Sequence, residues 1–122
     1  MTNQEVFDKV KEHLLNQNQR AYDLYSGCKY RVPNTSLKCA IGCLITDDIY
    51  DEKFEGQSIE DLLTDNSSNN DRTGHFSYSL SLLFKGVDIG LLKDLQMLHD
   101  YSIIEHWPSE LDSLAFKWKL KK

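Results

Sequence analysis

The chain has 122 residues, 40 % of them hydrophobic and 27 % charged, the balance of one ordinary globular domain with a single core. A net charge of −5 speaks against nucleic-acid binding by phosphate neutralisation, which needs clustered Lys and Arg. The longest apolar stretch, Ala40 to Ile45, is far short of the roughly 20 residues that span a bilayer, and polar Asn3, Gln4 and Glu5 stand where a secretory signal would be basic and then apolar. No membrane segment and a cytoplasmic location are therefore expected.

Thr2 and Glu5 have capping-box spacing, and Val6, Phe7, Val10, Leu14 and Leu15 follow with a helical period, which predicts a helix over about residues 3 to 17. Ala21 to Tyr25 read as a turn or two of helix, followed by an extended segment through Cys28, Tyr30 and Val32 that Pro33 and Asn34 close. Ser36 is placed to cap a second helix whose positions Leu37, Ala40, Ile41, Leu44 and Ile45 leave almost no polar face, so this helix should lie deep in the core. Gly42 in its middle points to the close approach of another backbone or of a ligand.

A short turn through Ile49, Tyr50 and Phe54 should close at Gly56, and Ser58 with Asp61 should cap a short helix through Leu63. Residues 64 to 75 form a polar loop. Residues 76 to 85 fit either period and are read as helix for want of a strand partner. Asp88 should cap a helix carrying Leu91, Leu92, Leu95, Leu98 and His99, and Pro108 suits the first turn of a last helix with Leu111, Leu114, Ala115 and Trp118. The expected fold is all-α, a compact single-domain bundle of five to six short helices.

Three cysteines without an export signal argue for reduced thiols. A cysteine in the first turn of a buried helix beside Lys38 has the setting of a thiolate nucleophile, so Cys39 with His99 as base and Asp100 as orienting group makes a candidate thiol hydrolase or transferase. The plainer account is that Cys39 and Cys43 are small buried hydrophobes on one helix face. Cys28, Cys39, Cys43 and His99 would make a zinc set by residue type, but they lack a tight knuckle, and no metal or cofactor is expected.

Tyr30, Arg31 and Lys38, with Tyr22, Tyr25, Arg20 and Lys29 nearby, form a basic and aromatic concentration that suits an anionic ligand or is simply a tyrosine-rich packing segment with solvated charges. Trp107 lies beside His99 and His106 where two helices could enclose a pocket, or where His99 is a hydrogen-bonded core residue and Trp107 a staple. Asp47, Asp48, Asp51, Glu52 and Glu55 form an acidic stretch that could meet a basic protein partner or simply be a solvated face. The Leu and Trp faces of the last helices offer a surface for a symmetric homodimer.

The run Cys39-Ala-Ile-Gly-Cys-Leu-Ile-Thr-Asp-Asp-Ile-Tyr50, then Glu55-Gly56, Leu95-Gln96-Met-Leu-His99-Asp100 and Trp107-Pro108, resembles a group of small proteins encoded by phages and prophages, in which Pro is expected at the position of Thr46. The resemblance spans roughly residues 25 to 118. It implies an accessory binding or inhibitory protein, in a counter-defence role, that binds a host protein or sequesters a small nucleotide.

Overall fold

The computed structural model describes residues 1–24, 27–64 and 76–122. Helix α1 spans Asn3–Gln17. It starts where the Thr2 hydroxyl accepts the Glu5 N–H at 3.1 Å while the Glu5 carboxylate accepts the Thr2 N–H at 3.2 Å, and it ends at Asn18 in the left-handed region. Val6, Phe7, Val10 and Leu14 are fully buried; Leu15, expected on the same face, is exposed.

The segment after α1 is a hairpin and not a turn of helix. Strand β1, Tyr22–Asp23, pairs antiparallel with β2, Gly27–Cys28, with Tyr22 opposite Cys28. Its backbone bonds leave the segment: Ala21 gives its N–H to the His99 ring and its carbonyl accepts the Lys29 N–H at 2.9 Å. An i to i+4 ladder has no groups left to use there.

The helix expected from Ser36 does not form either. Residues 30–39 make a second hairpin around Pro33 and Asn34, with an antiparallel bridge between Arg31 and Lys38 and the Cys39 N–H donated to the Tyr30 carbonyl at 3.2 Å. Only a 3₁₀ turn, Gly42–Leu44, follows. The expected burial holds for Ala40, Ile41, Leu44 and Ile45, with Cys39 beside them in the core, while Leu37 is only half-buried. Gly42 is where two backbones meet: a Cβ there would stand 2.0 Å from the Tyr30 carbonyl oxygen.

A 3₁₀ turn at Glu52–Phe54 precedes α2, Ile59–Leu63, which Ser58 caps by accepting the Asp61 N–H at 3.1 Å. The polar loop expected over 64–75 lies outside the described residues except for Thr64. Residues 76–85 resolve as helix, with α3 at Tyr78–Leu83 capped by Ser77. Helix α4, Ile89–Tyr101, has Asp88 at its N-cap, but the side chain makes no capping bond. Its carboxylate instead accepts Asn3 Nδ2 at 2.8 Å while the Asp88 N–H is donated to Asn3 Oδ1, which ties the starts of α1 and α4 together. Helix α5, Trp107–Lys117, begins with Pro108 in its first turn.

The fold is mainly α. Among the described residues five helices and two small hairpins enclose one cluster of buried residues that includes Phe7, Leu92, Leu95, Trp107 and Leu111. Among the described residues no helix is long and apolar enough to cross a membrane.

Candidate functional site

His99 is the one buried polar or charged residue among the described residues, with no exposed surface, on the inner face of α4. Its Nε2 accepts the Ala21 backbone N–H at 3.0 Å, so the ring proton is assigned to Nδ1, which faces Asp100 Oδ1 at 2.7 Å. The Trp107 indole stacks on the ring at 5.8 Å between centroids, and Trp107 Nε1 is buried without a hydrogen-bond partner. The Arg20 guanidinium closes the back of the site by donating to the His99 carbonyl at 3.0 Å and to the Ser102 carbonyl. Three segments, 20–21, α4 and the start of α5, thus converge on this histidine.

Asp100 collects the other side of this network. Its Oδ1 also accepts Gln96 Nε2 at 2.9 Å, and the Cys28 thiol bonds to the same carboxylate. Partial burial, then the charge of Asp100, pushes the Cys28 thiol up to about 11, so it stays protonated at neutral pH. Adjacent helical residues point about 100° apart, yet the partly buried Asp100 carboxylate stands 2.7 Å from the imidazole of its neighbour.

Cys39 and His99, paired in the catalytic reading of the sequence, have different surroundings. Cys39 is fully buried, its Sγ accepts the Gly42 N–H at 3.2 Å, and burial drives its thiol well above the usual cysteine range. It does not open a helix; it lies between a hairpin and a 3₁₀ turn, so the helix-terminus field that would have favoured a thiolate is missing. Cys43 donates to the Ala40 carbonyl at 3.1 Å, and burial pushes it up to about 12 against the opposing charge of Lys38.

Of the four residues weighed for zinc, Cys28 and His99 do come together, with Asp100 as third member: one ligand atom from each lies within 4.8 Å of the others. A metal on Nδ1 would move the ring proton to Nε2, where it meets the Ala21 N–H donor. Metal binding here therefore breaks the bond that holds the first hairpin to α4.

The residues expected to bind an anion are spread apart. Tyr30 is buried and its hydroxyl donates to the Gln57 carbonyl at 2.6 Å. Arg31 donates to the Ile45 carbonyl at 2.8 Å, pairs with Asp47 at 2.8 Å and lies 4.3 Å over the Tyr50 ring. The Lys38 backbone is bonded to Gln17 and His13 of α1. Trp107 is core. Within the acidic stretch, Glu55 accepts the Tyr30 N–H at 2.9 Å, the Arg31 N–H at 3.1 Å and the Tyr50 hydroxyl at 2.6 Å, so it fastens the second hairpin. Asp51 accepts the Lys53 N–H, and Asp47, Asp48 and Glu52 are exposed. On α5, Trp107 and Leu111 are packed inside while Phe116 is 87 % exposed.

A cleft of 360 Å³ runs between α4 and the segments 28–30 and 55–59. Asp100 and Cys28 form part of its wall, Lys29 and Lys93 border it, and Met97 and Tyr101 stand on the outer face of α4 beside it, 57 % and 78 % exposed. The sequence carried a signal for this site. Once Leu91, Leu92, Leu95, Leu98 and His99 are assigned to the core, Lys93, Met97 and Tyr101 remain at i, i+4 and i+8 on the opposite side of the same helix.

Comparison with protein-family models, with curated proteins and with solved structures finds no match.

Proposed function

We propose that this chain is a binding protein that captures a ligand in the α4 cleft, in the manner of the accessory counter-defence proteins implied by its resemblance to phage-encoded proteins. The observation that carries this reading is the state of Asp100. A carboxylate held by His99 from the core and by Gln96 and Cys28 within the cleft wall, and itself bordering the open cleft, is a preorganised acceptor, whose orientation costs little further on binding. The thiol-enzyme alternative draws no comparable support. Cys39 is fully buried, and both ring nitrogens of His99 are engaged.

Native mass spectrometry of the protein purified from producing cells, before and after denaturation, tests the reading. Wild type and Cys39→Ser should carry the same retained ligand, and Tyr101→Ala should lose it. A bare chain that instead hydrolyses activated esters or thioesters in a Cys39-dependent way refutes capture.

A further inference from the structure

The cleft presents three chemistries side by side, and together they specify a ligand class. Asp100 offers an acceptor: among the described residues both of its nitrogen donors fall on Oδ1, and its other donor is the Cys28 thiol. Met97 and Tyr101, one helical turn apart and mostly exposed, offer a polarisable and aromatic platform. Lys29 and Lys93 offer positive charge at the same border. The partner of Lys93 is Glu60, at 3.0 Å with both side chains about half exposed, the kind of surface pair that contributes little and is readily exchanged for a phosphate. Glu55 also lines the cleft, but its two oxygens already accept three hydrogen bonds. The volume of 360 Å³ is at the small end of the range typical of ligand pockets, roughly 300 to 1,000 Å³.

We propose that the cleft binds a mononucleotide-sized ligand, its base stacked along Tyr101 and Met97, an exocyclic amino group donating to Asp100, and its phosphate between Lys29 and Lys93. The proposal rests on the capture reading and narrows it to one chemistry. An amino-bearing base suits Asp100 because a carboxylate accepts and cannot donate, whereas the carbonyl oxygens flanking the uracil N–H would face it in repulsion. Stacking accounts for an exposed aromatic on a helix whose opposite face already fills the core.

An amide-resolved NMR titration of the full chain with AMP, CMP, UMP, adenosine and inorganic phosphate tests it. AMP and CMP should shift the amides of Cys28, Lys29 and Lys93 to Tyr101. Affinity should fall at least about tenfold in Tyr101→Ala and in the double variant Lys29→Glu/Lys93→Glu, all exposed or half-buried positions that leave the fold intact. UMP should bind more weakly than CMP. Absence of shifts at these amides with AMP and CMP overturns the proposal, as does equal affinity for adenosine and AMP, or equal shifts with phosphate alone. A retained ligand in native mass spectrometry that is not a nucleotide overturns this proposal while leaving capture standing, so the two fail separately.

Discussion

Gly42→Ala isolates the contact on which the second hairpin is built. The new Cβ would lie 2.0 Å from the Tyr30 carbonyl oxygen, 2.7 Å from its carbonyl carbon and 3.1 Å from its Cα, all of them backbone atoms. To bring the first distance to 3.0 Å the two chain segments must part by about 1 Å, and that separation is paid at the Cys39–Tyr30 hydrogen bond and the Arg31–Lys38 bridge next to it. Overpacking of a tight core costs about 1 to 3 kcal/mol and each hydrogen bond about 1 kcal/mol more, so the expected loss is about 4 kcal/mol. In a urea titration with a slope of about 2 kcal/mol per M, the midpoint should fall by about 2 M. Gly90→Ala is the control, because the atoms its Cβ would meet, at 2.8 and 3.1 Å, belong to the edge of the Trp118 ring, and a side chain can move aside. There the gain in helix propensity, about 1 kcal/mol, offsets the displacement. If Gly42→Ala unfolds no more readily than Gly90→Ala, the close approach of Tyr30 is not a constraint on this fold.

Glu55→Ala removes the acceptor of two backbone N–H groups and the Tyr50 hydroxyl, and should lower unfolding free energy by about 3 kcal/mol in the same titration. His99→Leu keeps the volume but leaves the Ala21 N–H without its acceptor; hydrogen exchange at the Ala21 amide should accelerate by at least about tenfold while amides in α1 keep their protection. Iodoacetamide at pH 8 should leave Cys39 unmodified in the native protein and react only slowly with Cys28, whose folded value of about 11 keeps it a thiol; rapid native labelling of Cys39 would contradict its burial. Because folding raises Cys28 and Cys43 from 9.0 to about 11 and about 12, the native state holds more protons than the unfolded one above that pH. The stability these two thiols contribute should hold up to about pH 9 and then decline, which thermal melts at pH 8 and 10 would read directly.

Local physics explains which parts of this structure could be read from the sequence. α1 is legible through a capping box and a period, and α2 and α5 through Ser58 and Pro108, all signals contained within one turn of chain, whereas α3 fits either period and is read as helix only for want of a strand partner. Of the two hairpins, only the extended arm through Tyr30 and Val32 and its turn at Pro33 and Asn34 are legible; the pairing is not. Their strands are two residues long or a single bridge, too short for alternation to register, and they are fixed by partners far away in sequence: Ala21 by His99, Tyr30 and Arg31 by Glu55. Most of the apolar run 37–45 lies in the core as its composition implies, with Leu37 and Cys43 half-buried, yet its conformation is decided by Tyr30, not by its own propensity. Cys39 has the burial of the small hydrophobe that the plainer account makes it, and without a helix terminus it lacks the setting of a thiolate nucleophile. His99 and Asp100 were singled out for catalysis; their pairing is present, but it is directed at a backbone N–H and a cleft.

A buried imidazole is an expensive choice for a core position, and a leucine would fill the space without needing donors and acceptors. What the imidazole supplies is direction: through Nε2 it fixes the first hairpin to α4, and through Nδ1 it fixes the carboxylate that borders the cleft. The wall of the cleft at Cys28 and the acceptor at Asp100 are therefore set by one residue that no ligand in the cleft would touch. Two classes of loss should follow and be separable. Substitutions at His99 should weaken ligand binding and lower stability together, because they release the hairpin and free the carboxylate to rotate. Substitutions at Tyr101, 78 % exposed and absent from the core, should weaken binding with stability unchanged. A protein in which both substitutions lowered stability alike, or in which neither touched binding, would have its buried histidine for packing alone.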